Sequence, residues 1–304
     1  MERSDLKGII TIMPTAFNKE GSFDEENYRK NINKICETKV NGIMIMGTTG
    51  EFYNIPYEEY KQLVDILIDE VSSRVKIIVG ASGINTNVAI KRTKYAEKQG
   101  ADAVINVVPF YQPLSQNEII KFFTELSNQC KDIGILAYNN PITTKVLISA
   151  ETYKKLSKIK NFIGSKEITS DIFYYMSITK AAPDLKLLPV EGLVVPAAML
   201  GCDGFFSSIV FMNPKFQNDL YKYCKDKNWE KALQMQYQIV DFIKKIVIPL
   251  REKYNEVSLA KALVNASGFL YVGPPRSPYI AVSHEDEKKL RKDLEKICPY
   301  MIYK

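Results

Sequence analysis

Along the first two thirds of the chain, short runs of Ile, Val and Leu alternate with longer segments whose apolar residues recur every three or four positions. The runs are GIITIMPTAF from Gly8, NGIMIMGTTGE from Asn41, VKIIVGAS from Val75 and ADAVINVVPF from Ala101. DIGILAYNNP from Asp132, NFIGSKEIT from Asn161, LKLLPVEG from Leu185 and DGFFSSIV from Asp203 complete the series. Their apolar centres have the ~4–8-residue length of strands buried on both faces. Between them the period is helical. In DEENYRKNINKICETK, Tyr28, Ile32, Ile35 and Cys36 share one face, with Lys and Glu elsewhere. Asp24, Ser115 and Ser149 stand where N-caps are needed, because their side-chain oxygens accept from amides that have no helical partner. Pro56 falls at the first turn of YEEYKQLVDILIDEV, where a missing N–H costs little.

Eight strand–helix units without an intervening linker predict a (β/α)₈ TIM barrel. The competing architecture, a doubly wound open sheet, would carry a glycine-rich dinucleotide loop after its first strand, and PTAFNKEGSFD is not one. Beyond Ser208 only helical patterns follow. The first, NPKFQNDLYKYCKDK, completes the eighth unit, so residues 1–226 are expected to form a catalytic barrel. Residues 227–304 form a C-terminal helical extension packed on it, with GPPRSP (Gly273 to Pro278) as a rigid turn before the last helix.

Composition narrows the chemistry. The chain has 304 residues, 46% hydrophobic and 25% charged, as expected of a soluble protein with a large core. No apolar run approaches the ~18–20 residues of a membrane helix, and the charged start MERSDLKGIITIMP lacks the form of a secretory signal. A cytoplasmic protein without membrane association is expected. The net charge of +6 is spread among acidic residues, without a basic block, which argues against nucleic acid as a partner. Five scattered cysteines form no ligand spacing and no redox pair. The single histidine, His284, lies in a polar run, so acid–base work falls to Tyr, Lys, Glu, Asp or water.

In such a barrel the active site gathers at the C-terminal ends of the strands. Those ends read Gly47-Thr48-Thr49-Gly50-Glu51, Pro109-Phe110-Tyr111, Tyr138-Asn139-Asn140-Pro141, Lys166-Glu167, Glu191-Gly192 and Ser207-Ser208. Lys166 is the most informative. Desolvation disfavours the ammonium form of a buried amine, and a neutral amine can condense with a ketone to an imine that serves as an electron sink. The plainer alternatives are a lysine that snorkels to water or one paired with Glu167. Gly47 to Glu51 place glycines around two hydroxyls at a strand-to-helix corner, which suits a carboxylate or phosphate; a structural turn explains them equally. Tyr138 can pass protons where histidine is missing, although most of the 18 tyrosines must serve packing.

Taken together, Gly47-Thr48-Thr49-Gly50-Glu51, Tyr138-Asn139-x-Pro141 and Gly164-x-Lys166-Glu167 resemble the dihydrodipicolinate synthase / N-acetylneuraminate lyase family of class I pyruvate-dependent aldolases. The resemblance covers essentially the whole chain. It implies a lyase in which Lys166 forms a Schiff base with pyruvate and Tyr138 relays protons. Thr48, Thr49 and Gly50 would hold the pyruvate carboxylate. Tyr111 falls where the family has a second relay tyrosine contributed across a dimer interface, so that Thr48, Tyr111 and Tyr138 would form a catalytic hydroxyl wire. A homotetramer built as a dimer of dimers, with no cofactor and no metal, is implied.

Departures from the family pattern bear on the second substrate. Dihydrodipicolinate synthases place an arginine where Thr143 stands, and a threonine cannot clamp a carboxylate bidentately. Lys145, two residues on, is the nearest replacement. Acylated-sugar lyases use paired acids after strand 7; here Glu191 matches one, Gly192 occupies the other place, and Ser208 fits. Ala89, Tyr57 and Tyr60 stand where lysine-regulated synthases carry charged or imidazole groups, which implies no feedback inhibition by lysine. The expected substrates are therefore pyruvate with a neutral hydroxy-aldehyde, or the corresponding 2-keto-3-deoxy acid. The alternatives are 4-hydroxy-tetrahydrodipicolinate synthase, N-acetylneuraminate lyase, a dehydratase of 2-keto-3-deoxy sugar acids, and a non-catalytic ligand-binding barrel.

Overall fold

The computed structural model describes residues 1–303. Eight strands, β1 (Gly8–Ile12), β2 (Gly42–Ile45), β3 (Lys76–Gly80), β4 (Ala103–Asn106), β5 (Gly134–Asn139), β6 (Phe162–Glu167), β7 (Lys186–Pro189) and β8 (Gly204–Ser207), match the eight apolar runs. All pair in parallel in the order β7-β6-β5-β4-β3-β2-β1-β8, and β7 and β8 lie side by side at the seam. The expected TIM barrel is borne out. Nearly every strand residue is buried, because the inner face packs on the barrel axis and the outer face on the helices.

Helices α1 (Glu25–Cys36), α2 (Tyr57–Val71), α3 (Thr86–Gln99) and α4 (Gln116–Gln129) separate the first five strands. α5 (Pro141–Thr144) and α6 (Ala150–Leu156) follow β5, α7 (Ile172–Ala181) follows β6, α8 (Val194–Met199) follows β7, and α9 (Pro214–Lys225) follows β8. The three caps are present: Asp24 accepts from the Asn27 amide, Ser115 from Glu118 and Ser149 from Thr152. Pro56 is the N-cap residue of α2, beside the first turn as expected. On α1 the buried face includes Asn31 rather than Cys36, because Asn31 Nδ2 donates to Tyr271 O at 2.6 Å and ties the barrel to the C-terminal segment.

The extension contains α10 (Trp229–Phe242), α11 (Ile248–Arg251), α12 (Glu256–Ser267) and α13 (His284–Ile297). A π-helical turn, Ile243–Val247, separates α10 from α11 within the helical pattern NWEKALQMQYQIVDFIKKIVIPL. Pro249 lies just beyond it and supplies no N–H to the helical ladder, which is one physical cause of such a turn. No helix among the described residues is long and apolar enough to cross a membrane.

Candidate active site

Strand register brings the candidate residues together. In β5 and β6, Tyr138 is the direct partner of Lys166, and Asn139 of Glu167. Because strand side chains alternate, consecutive residues point to opposite faces. Glu167 therefore turns outward. Its carboxylate accepts from Asn139 Nδ2 at 2.8 Å and from the hydroxyls of Tyr153 and Ser165. Burial pushes its pKa up, while the Ser165, Tyr153 and Asn139 hydrogen bonds oppose that shift. The pairing of Lys166 with Glu167 is thus excluded by the alternation.

Lys166 turns into the barrel. Its residue is 2% exposed, and Nζ lies 4.1 Å from the centroid of the Tyr138 ring and 5.7 Å from that of Phe206 on β8. It takes part in none of the ion pairs among the described residues. Snorkelling is excluded by the same burial. The Tyr138 hydroxyl lies 3.3 Å from Thr48 Oγ1, so amine, phenol and threonine hydroxyl form one connected group.

The loop after β2 is held in a strained form. Met46 (φ 53°) and Glu51 (φ 55°) bracket it in the left-handed region, which costs of order 1–3 kcal/mol each for residues with a side chain. A Cβ on Gly50 would lie 2.8 Å from Met46 N, so glycine is required for the turn to close. Thr15 Oγ1 donates to Gly50 O at 2.7 Å. The amides of Thr48, Thr49 and Gly50 have no protein acceptor among the described residues, and buried Thr49 Oγ1 has no partner. Uncommitted donors in a loop at a strand end suit an anionic or carbonyl oxygen.

The remaining candidates are placed less centrally. Glu191 and Ser208 meet: Glu191 Oε1 accepts from Ser208 Oγ at 3.0 Å and from Ile209 N at 3.2 Å, joining the ends of β7 and β8. Thr143 lies on α5, its amide committed to Asn140 O. Lys145 Nζ donates to Tyr111 O at 3.1 Å. Tyr111 is 73% exposed in the loop after β4, and its hydroxyl joins neither Tyr138 nor Thr48. Three or more His, Cys, Asp or Glu side chains do not converge as a metal-binding group among the described residues.

Sequence reasoning missed three residues. Phe206 lies within the apolar run DGFFSSIV and carries no signal beyond that of a strand residue. Lys261 on α12 and Arg276 in the following segment close over the back of the strained loop. The signal for Lys261 was available: like Lys166, it is a charge within an apolar pattern, here LAKALV.

The Dihydrodipicolinate synthetase family matches residues 5–297. The chain belongs to this family. It is 31% identical over 297 residues to the 4-hydroxy-tetrahydrodipicolinate synthase of Protochlamydia amoebophila, covering 96% of this chain and 97% of that one. With the synthase of the same name from Methanothermobacter thermautotrophicus it shares 30% identity over 267 residues, covering 84% and 94%. Among solved structures, the dihydrodipicolinate synthase of Aquifex aeolicus superposes with a TM-score of 0.86 at 27% identity, over 96% of this chain and 98% of that one. The protein is accordingly a lyase of the aldolase type, as the sequence motifs implied.

Proposed function

We propose that this lyase works through a Schiff base between Lys166 and pyruvate and joins or cleaves a carbon–carbon bond to an aldehyde. The observation that supports this best is the buried Lys166 amine, held without a carboxylate partner beside Tyr138 and Thr48. Nζ attacks the keto carbon, the C–N bond forms, and the carbonyl oxygen leaves as water. Loss of a C3 proton then gives an enamine that adds to the aldehyde, and hydrolysis frees the product and the amine. Tyr138 carries protons between the reacting oxygen and Thr48. Thr48, Thr49 and Gly50 grip the pyruvate carboxylate. Residues 1–226 supply the chemistry and residues 227–304 support it; the enzyme acts in the cytoplasm.

For the aldehyde we favour a neutral hydroxy-aldehyde, giving a 2-keto-3-deoxy acid. Thr143 offers no guanidinium, and the Lys145 amine is engaged by Tyr111 O. Glu191 Oε1 is committed to the β8 loop, which leaves its second oxygen for a substrate hydroxyl. Aspartate semialdehyde is the second reading, favoured by the names of the relatives. The exposure of Tyr111 supports its completing the relay in a second copy, in the tetramer that the family resemblance implies.

Borohydride reduction with pyruvate, followed by intact mass, tests the reading. A stable adduct that disappears in Lys166→Ala is expected. No adduct at saturating pyruvate would leave a ligand-binding barrel as the better account. Pyruvate release from a panel of 2-keto-3-deoxy acids and N-acetylneuraminate, beside condensation with aspartate semialdehyde, separates the substrates; efficient use of the semialdehyde would overturn the inference from Thr143.

A further inference from the structure

We propose that Glu51 and Lys261 are positioning residues that set the affinity of the Thr48–Thr49–Gly50 loop for pyruvate, making the C-terminal extension part of the substrate site. The inference rests on the reading of that loop as the carboxylate grip. It starts from a buried charge pair that the imine chemistry does not use. Glu51 is 0% exposed, and its Oε1 lies 2.7 Å from Lys261 Nζ, itself on a residue 0% exposed. Its Oε2 accepts from the Arg276 amide at 3.1 Å and from Asn54 Nδ2 at 3.3 Å.

Lys261 is fixed in turn. Nζ donates to Pro274 O at 2.9 Å and lies 4.2 Å from the centroid of the Phe17 ring. The Arg276 guanidinium covers the same ring at 4.0 Å and pairs with both oxygens of Glu59 on α2 at 2.6 and 2.7 Å. Glu51 is the residue whose left-handed backbone closes the loop, with its amide donating to Thr48 O at 3.0 Å. Such a conformation persists only where its surroundings over-determine it. The carboxylate of Glu51, gripped by the extension, is what over-determines this one. If the grip loosens, the amides of Thr48 and Thr49 lose their fixed positions, and an anion loses donors while the Lys166 chemistry stays intact.

The charges facing Lys261 are Glu51, which favours its proton, and Arg276, which disfavours it; burial is the largest influence and brings its pKa down to about 8. Below about pH 8 the amine is charged and the pair holds. Above it, Lys261 is neutral and Glu51 keeps only its N–H donors. Affinity for pyruvate is therefore full below about pH 8 and falls as pH rises through that value.

The test measures pyruvate binding by calorimetry and adduct formation by borohydride trapping, between pH 7 and 9. It uses the wild type, Lys261→Met and Lys261→Arg. At pH 7, Lys261→Met is expected to weaken pyruvate binding by about tenfold, the scale of one lost hydrogen bond to a charged group, while saturating pyruvate still gives the borohydride-trapped adduct. Wild-type affinity should fall toward pH 9, while that of Lys261→Arg should stay flat, since a guanidinium does not titrate there. A folded Lys261→Met with wild-type affinity would overturn the inference, as would wild-type and Lys261→Arg profiles of the same shape. Should Lys261→Met fail to fold, the wild-type and arginine profiles decide. Pyruvate bound without any wild-type adduct would sink the Schiff-base reading and leave this one standing; no binding at all would sink both.

Discussion

Two lysines lie buried in this molecule, and their surroundings differ in a way that separates chemistry from architecture. Lys166 on β6 and Lys261 on α12 are 2% and 0% exposed. Both lie beside aromatic rings, Lys166 over Tyr138 and Lys261 over Phe17. The difference is in what their donors meet. Lys261 has a carboxylate and a backbone carbonyl, whereas Lys166 has no ion-pair partner among the described residues. A buried charge normally needs a partner. The lysine that has one is fixed between its partners; the one that lacks it is the one proposed to form the imine. Burial alone does not mark a nucleophile, and neither does an acidic neighbour in sequence, since Glu167 beside Lys166 faces the opposite side of the sheet.

The comparison can be broken most sharply at Lys166. Replacing it with alanine should cost on the order of 10⁴-fold or more in turnover and abolish the trapped adduct, with the fold retained by circular dichroism. Turnover near wild type would remove the distinction altogether. Next, Tyr138→Phe keeps the ring against Nζ but removes the hydroxyl that reaches Thr48; turnover should fall by about 10²-fold or more, with adduct formation slowed rather than lost.

At Lys261 the expected loss is of a different kind. Lys261→Met leaves Glu51 buried and unpaired, which should cost about 3–5 kcal/mol of stability in denaturant unfolding. Adding Glu51→Leu should recover most of that stability but not the affinity for pyruvate. Recovery of both would mean that the pair does nothing for the loop. The smallest effect is expected at Phe206, whose ring centroid lies 5.7 Å from Lys166 Nζ. Phe206→Val should let the site accept 2-oxobutanoate a few-fold better relative to pyruvate, read as the ratio of kcat/KM values; an unchanged ratio would place the ring outside the keto-acid subsite.

Much of this was legible in the chain. Continuous apolar runs of strand length, separated by helical periods, specify a barrel because each strand is buried on both faces. Lys166, Tyr138 and the Gly47–Glu51 loop announced themselves because polar groups at the ends of such runs have few structural reasons to be there. The Tyr138–Lys166 register and the outward turn of Glu167 follow from strand pairing and its twofold alternation, which the sequence implies once the strands are aligned. What the sequence left open was long-range. Glu51 and Lys261 are 210 positions apart, and nothing local in either segment says that they meet. Nor does it say that Tyr111 would lie exposed and apart from Thr48 and Tyr138. Strand and helix patterns are written in neighbouring residues by burial and capping, so one chain displays them. Which charge neutralises which, and which loop is clamped by which distant helix, depends on the packing of whole layers, and only the tertiary structure decided it.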